Sequence, residues 1–564
     1  MKLRDLSKLQ IRSEVMLMLQ QLNSLDEMSK EQQDNYLNKL RSIKDIDYVV
    51  EILVKELGRS DYKKGQLISI FIQELGDLES LKDILWSYIK SPMSSDELKD
   101  IAGIILKSLG DQTDPEEFLN YLDDPKAIVD KETQKLLEVA SINPEAQIDF
   151  LDFLFSLPES EQINLVSSLK EDYSSEYLVN IAVPALEAKP SIKLEEALIK
   201  ILGETRSPIA IPALNDVLKY SKNEIIKKHA QKSLNMLKLS GVKLNQDNQG
   251  LSASPITKTS DIYECHTNMT DGIGNQGFII SRIKPNKDIL MLNVVINDVH
   301  GILDCFGFYG ISKQDFSRII EKFQEKSTRF LVSPEYCKLR LEEAEKINKE
   351  NNLPISYEYA AWKSLLSDVS ILENDFEKLS KKWISKDLIH ETALLYKFPD
   401  FQYWFFEEED HSLINETLPV LIKEICEKKE YFINNKNELK TWLESNIDKL
   451  TSQVFNDEIK NIYKNRLLDL TYLLNTRDLE LFRNIAASLA WCITPENSYD
   501  VKTVPFFREM MKRTILEGFV RYQYKIDRDT EETSSINKQK QNNSSKALTN
   551  DDDLLEIIKI LYKL

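Results

Sequence analysis

ALIKILGETRSPIAIPALNDVLKYSKNEIIKKHAQKSLNMLKLSGV, residues Ala197 to Val242, decides how this chain is read. Leu198, Ile199, Ile201 and Leu202 close one helical stripe, and Gly203 follows where a helix carboxyl end favours a residue without a Cβ. Ser207-Pro208 restarts the chain, and Ala210, Ile211, Ala213, Leu214, Val217 and Leu218 recur at helical spacing. Ser221-Lys222-Asn223 then turns into a second helix, with Ile225, Ile226, Ala230, Leu234 and Leu237 on one side. Neither helix can bury its apolar side alone, so a stack of neighbours is required.

Upstream, similar unit ends recur. Taking Gly76, Gly110, Ser141, Glu171, Gly203 and Ser240 as marks, the steps are 34, 31, 30, 32 and 37 residues, the range of helix-pair arrays. Leu-Gly-Asp or Leu-Gly-Glu punctuates Gly76, Gly110 and Gly203, and spacing assigns the other units. Ser207–Leu214, SPIAIPAL, resembles the opening helix of a HEAT-like repeat, and the resemblance extends over about residues 45 to 243. It implies an α-solenoid with a binding surface; similar repeats occur in bilin lyases and in many scaffold proteins, so the repeat selects no single activity.

Composition narrows the classes. The chain has 564 residues, 42% apolar and 29% charged, enough for several packed units. With 15 Gly and 17 Pro it is short of the turns an all-β fold needs. A net charge of −19 repels phosphate at long range and argues against nucleic acid or anionic lipid as a general partner. Cys265, Cys305, Cys337, Cys426 and Cys492 are odd in number and scattered, which predicts a reducing, cytoplasmic setting. The opening MKLRDLSKLQIRSEVMLML has no leader pattern, and no apolar run is long enough to predict a membrane span.

Charge is uneven along the array. Residues 111 to 180 carry 4 basic and 17 acidic side chains, whereas residues 219 to 243 carry 7 basic and 1 acidic. The acidic stretch reads as a solvated outer face, or as a stripe that meets a basic partner.

The predicted fold is mainly α: HEAT-like repeats over 1–243, a linker over 244–259, a small α+β domain over 260–335, and a helical domain over 336–527. A disordered tether over 528–550 and an amphipathic helix over 551–564 complete it. Strands are expected at Asp261–His266, Gly277–Ile283, Ile289–Ile296 and Gly301–Tyr309, as an antiparallel meander, with the amphipathic Lys313–Glu325 segment over one face. Ser333-Pro334-Glu335 reads as a helix start, and helices with short breaks follow to about Tyr524.

Four constellations bear on chemistry. Cys265, His266, His300 and Cys305 are soft ligand types for zinc, but adjacent residues on a strand face opposite ways, and buried thiols with a turn histidine account for them as well. Asp298, His300 and Asp304 could set a base beside an orienting carboxylate, or form a plain hairpin before Gly301. Lys219, Lys222, Lys227, Lys228, Lys232, Lys238 and Lys243 could follow a phosphate backbone, without arginines for base readout. Leu554, Leu555, Ile558 and Leu561 form an apolar stripe that must dock on this chain or another.

The leading expectation is a non-catalytic, cytoplasmic scaffold or adaptor that binds a protein partner, with no cofactor and no bound metal. The alternatives are an enzyme or lyase-like subunit with a site in the small α+β domain, and nucleic-acid binding through the 219–243 lysines.

Overall fold

The computed structural model describes residues 3–22, 28–76, 79–172, 175–242, 255–407, 411–494, 497, 499–537 and 551–563. It is mainly α, with one small antiparallel sheet.

Short polar residues start the helices of the amino-terminal half. Ser29, Asp45, Asp61, Ser95, Asp124, Asn143, Ser191 and Asn223 each accept a hydrogen bond from a backbone N–H of the first turn they precede. Each helix then packs chiefly on helices one to three places along the chain, the pattern of pairs stacked in series. The repeat length shows in contacts that join residues 33 or 34 apart: Arg41 to Glu74, Tyr88 to Val54, Lys131 to Glu97, Gln147 to Asn180, Lys193 to Glu159 and Ser233 to Ile199. The array contains two hydrophobic cores, one from Ile11 to Leu106 and one from Leu137 to Leu237.

Gly203 corrects the first reading of the opening stretch. The helix runs from Ile192 to Glu204, so the glycine lies inside it. A Cβ there would sit 2.6 Å from the Ser233 Cβ. The glycine is therefore needed for close approach of two helices and does not end one.

The strands are β1 Asp261–Thr267, β2 Asn275–Ile283, β3 Ile289–Asn297, β4 Gly301–Ile311 and β5 Phe330–Leu331, in the order β4-β3-β2-β1-β5. All the pairings are antiparallel, and the four expected strands are present. Their near-continuous apolar runs signal burial on both faces. On one face Phe316 and Ile320 of the Lys313–Lys326 helix meet Ile279, Ile289 and Met291. On the other, Phe278, Leu292, Val294 and Ile296 join a large core with Tyr336, Trp362, Leu467 and Phe506. The second face of the α+β region expected over 260–335 is covered by the helices after residue 335, and one core serves both.

Further differences concern the connections. Ile256, in the expected linker, is buried in the large core on the short helix Pro255–Thr259, while 243–254 lie outside the described residues. Between Lys363 and Tyr403 much of the expected α-helix is 3₁₀, and buried Ile389, Thr392 and Leu395 recur at its three-residue period. The helix from Pro505 continues to Asn537, into the stretch expected to be disordered. No Gly or Pro interrupts residues 519–537, which removes the usual reason to stop. Residues 538–550 lie outside the described set.

The second half of the array is joined to the body by polar contacts. The Tyr309 backbone N–H donates to Glu145 (3.1 Å), the Tyr357 hydroxyl to Asp152, and the Lys189 amine to Asn352 (2.8 Å). Lys349 pairs with Asp216 (2.8 Å) and Lys363 with Glu187 (2.6 Å). The acidic Pro144–Ser156 helix therefore touches the body at the edge of its charged side. Its Glu145 and Asp152 meet this chain's own body.

Candidate functional site

The helix Pro334–Glu350 begins at Ser333, whose hydroxyl accepts from the Tyr336 N–H, and the helix Asp457–Thr476 begins at Asn456 in the same way. Between them, with the β3–β4 hairpin as floor, lies a cleft of about 340 Å³. Its polar lining includes Asn297, Asp298, Arg340, Glu343, Asn465, Arg466 and Asp469.

Asp298 is the one sequence-predicted catalytic candidate in this cleft. Arg466 clasps it bidentately, Nε to Oδ2 at 2.6 Å and Nη2 to Oδ1 at 2.9 Å, and Nη1 donates to the Gly272 carbonyl at 2.6 Å. Gly272 belongs to the glycine-bearing loop before β2, where a Cβ would lie 2.4 Å from the Tyr403 carbonyl oxygen. The arginine thus binds a hairpin, a loop and a helix together.

Deeper in the cleft, Asp469 accepts from the Tyr336 hydroxyl at 2.6 Å and from Gln276 Nε2 at 3.4 Å, with Arg340 Nε at 3.6 Å. Burial pushes the Asp469 carboxyl above the usual range, while Arg340, Tyr336 and Gln276 pull it back. Burial likewise raises the Tyr336 hydroxyl, and the Asp469 charge adds to it. Arg340 also holds Glu343 at 2.7 Å, and Asn374 donates to the same carboxylate at 2.8 Å. Among the described residues lining the cleft, Asp298, Glu343, Glu350 and Asp469 each have a basic or hydroxyl partner. This is the chemistry of a polar clasp.

The other candidates fall elsewhere. His300 and Asp304 are exposed, and Asp304 caps the backbone N–H of Cys305 at 2.9 Å, so the structure does not join them to Asp298 as a catalytic set. Cys265 lies in the large core, whereas His266 faces the Phe316 side of the sheet, with Nε2 2.8 Å from Glu264. Burial pushes the Cys305 thiol up, against the thiolate that zinc requires. The structure does not assemble the four proposed ligands, and among the described residues no group of three or more His, Cys, Asp or Glu could hold a metal.

Lys219, Lys228, Lys232 and Lys238 are exposed on the last two helices of the array and Lys222 on the turn between them, and Lys227 is half-buried and paired with Glu224 at 3.0 Å. Lys243 lies outside the described residues. Lys228 and Lys232 share one side of the Glu224–Leu239 helix with Asn235 and with Ile225 and Leu239, which are 57% and 87% exposed. At the carboxyl end Ile558 and Leu561 are buried in the chain's own core, so of the two expected docking places the stripe takes the one on this chain. The side chains of Leu554 and Leu555 are outside the described residues.

Sequence reading missed Arg340, Arg466, Asp469, Tyr336 and Gln276. A signal was present: Arg466 and Asp469 interrupt the apolar run Leu467, Leu468, Leu470, and charges inside such a run are buried only when paired. Among the described residues no helix is long and apolar enough to cross a membrane. Comparisons with family models, curated proteins and solved structures find no match for this chain.

Proposed function

We propose that the protein is a non-catalytic adaptor of a reducing compartment, whose HEAT-like helix pairs carry a protein partner on the array's last unit. The observation that carries this reading is the stripe Ile225, Lys228, Lys232, Asn235 and Leu239, exposed along one side of the terminal helix. A cap that only shields the array needs a polar outer side. Two exposed aliphatics bracketing two lysines suit a protein surface with an apolar contact and acidic neighbours. Nucleic-acid binding makes less use of them, since phosphates reward the lysines and leave the aliphatics idle.

The test is affinity capture from native extract with the intact chain, the variant Ile225→Asp/Leu239→Asp, and the variant Lys228→Glu/Lys232→Glu, each with and without nuclease. The expected result is a protein retained by the intact chain, reduced at least about tenfold by either variant and indifferent to nuclease, as for loss of about 1.4 kcal/mol of contact. Retention that needs nucleic acid, or that neither variant changes, refutes the proposal.

A further inference from the structure

The last helix, Asp551–Lys563, lies on a groove made by the helices Lys429–Asn434, Lys436–Val454 and Pro505–Asn537. Ile557, Ile558 and Leu561 are buried there, and the Tyr562 hydroxyl donates to Glu517 at 3.0 Å. Glu556 and Lys559, between and beside them, are exposed. At 13 residues, this helix is too short to persist alone in water, so the groove supplies its stability. The chain reaches it through residues 538–550, KQKQNNSSKALTN, which hold few apolar side chains.

Two of the same three helices line a cavity of about 670 Å³, bounded by Glu424, Lys428, Tyr431, Phe432, Glu438 and Trp442. Tyr431 at its edge is 53% exposed. A second molecule can therefore touch these helices while the last helix is still in place.

We propose that this groove is a docking site for an amphipathic helix of a protein partner, and that the chain's own last helix occupies it as a displaceable plug. The plug defines the ligand class: aliphatic side chains at positions i, i+1 and i+4 of a helix, with polar residues around them, as at Ile557, Ile558 and Leu561. Because the plug belongs to the same chain its competition is intramolecular, so a partner must bind tightly or gain purchase in the adjoining cavity first. This surface is separate from the terminal stripe of the array and stands or falls independently of it.

The test uses a fluorescein-labelled peptide of residues 551–563 as probe and the full-length chain. Fluorescence anisotropy is read for the native chain, for Leu561→Asp, and for the milder Ile558→Ala, with circular dichroism and hydrogen exchange of the body confirming the fold. The expected result is that Leu561→Asp binds the probe about a hundredfold more tightly than the native chain and that Ile558→Ala falls between them. Ile225→Asp/Leu239→Asp should bind the probe as the native chain does. No binding to the folded variants, or equal binding to native and variant chains, overturns the proposal. A doubling of the native chain's mass in light scattering that Leu561→Asp abolishes overturns it as well, because the occupant is then a second copy.

Discussion

Gly203 offers a test of the stacked array at atomic detail. Its missing Cβ would fall 2.6 Å from the Ser233 Cβ and Oγ and 2.7 Å from the Ser233 Cα. Ordinary carbon contacts lie near 3.5 to 4.0 Å, so alanine forces the two helices apart by about 1 Å, at a cost of about 1–3 kcal/mol. The same movement strains the hydrogen bond from the Ser233 hydroxyl to the Ile199 carbonyl, now 2.8 Å, worth about 1 kcal/mol. Replacing glycine within a helix returns about 1 kcal/mol. The net expectation for Gly203→Ala is a loss of about 1–3 kcal/mol, with Gly203→Asn worse because the added atoms have nowhere to go. At a helix end the order would reverse, since Asn tolerates the left-handed conformation better than Ala. Hydrogen exchange read by mass spectrometry over the peptides of Ile192–Glu204 and Glu224–Leu239 measures the local opening free energy in the intact protein. If Gly203→Asn is as stable as Gly203→Ala or more so, the close approach of these helices is wrong.

Two further outcomes follow from buried charge. His266 is held neutral, its pKa lowered chiefly by burial, while Glu264 partly opposes the shift. With the folded value below the unfolded value of about 6.5, the unfolded chain binds the extra proton first, so stability is full above about pH 6.5 and declines as the pH falls through it. Urea titrations at pH 7.5 and 5.5 should show that loss, and His266→Gln should reduce it; an unchanged pH dependence in the variant rules the histidine out. Lys363→Met leaves Glu187 and Glu345 without the amine now 2.6 and 3.7 Å away, and should cost about 3–5 kcal/mol at the joint between array and body. Limited proteolysis should become faster there, and adding Glu187→Gln should restore part of the resistance; no change would mean the joint does not depend on this pair.

What could be read from the sequence was local. β2 and β3 stand out because GFIISRI and ILMLNVVI are apolar at successive positions and bounded by turn residues, a pattern that needs no knowledge of the rest of the chain. Ser333-Pro334 announces a helix start for the same reason. Helix pairs were visible as apolar spacing, and hydrogen bonds and ion pairs between residues 33 or 34 apart join several of the helices along the array. The cleft was beyond local reading: Asp298 meets Arg466 across 168 positions, and Tyr336 meets Asp469 across 133. The hydrophobic period of a helix says which side is buried and nothing about which charge waits there. Gly203 failed for a related reason. A glycine at the end of an apolar stripe has the same local signature whether it ends a helix or admits a neighbour.

The cores and the joints between them differ in kind, and that difference orders the parts by how easily they separate. Between the two halves of the array, Lys131 and Glu97 meet at 3.3 Å with both side chains 43% exposed, a contact worth at most about 1 kcal/mol, while Asp96 accepts from the Asp123 and Asp124 backbone N–H groups at 2.9 Å and the Lys30 N–H reaches Asp288 of the β2–β3 turn at 2.7 Å. Between the second half and the body, Lys363 meets Glu187 and Glu345 with much of that cluster shielded from water, where losing one partner strands a charge. The sheet and the helices after it share one apolar core, and separating them would expose Phe278, Leu292 and Val294. The sheet should therefore be the last part to separate from the helices that follow it. The terminal stripe lies on the half clamped to the body by Lys363 and is presented from a fixed base.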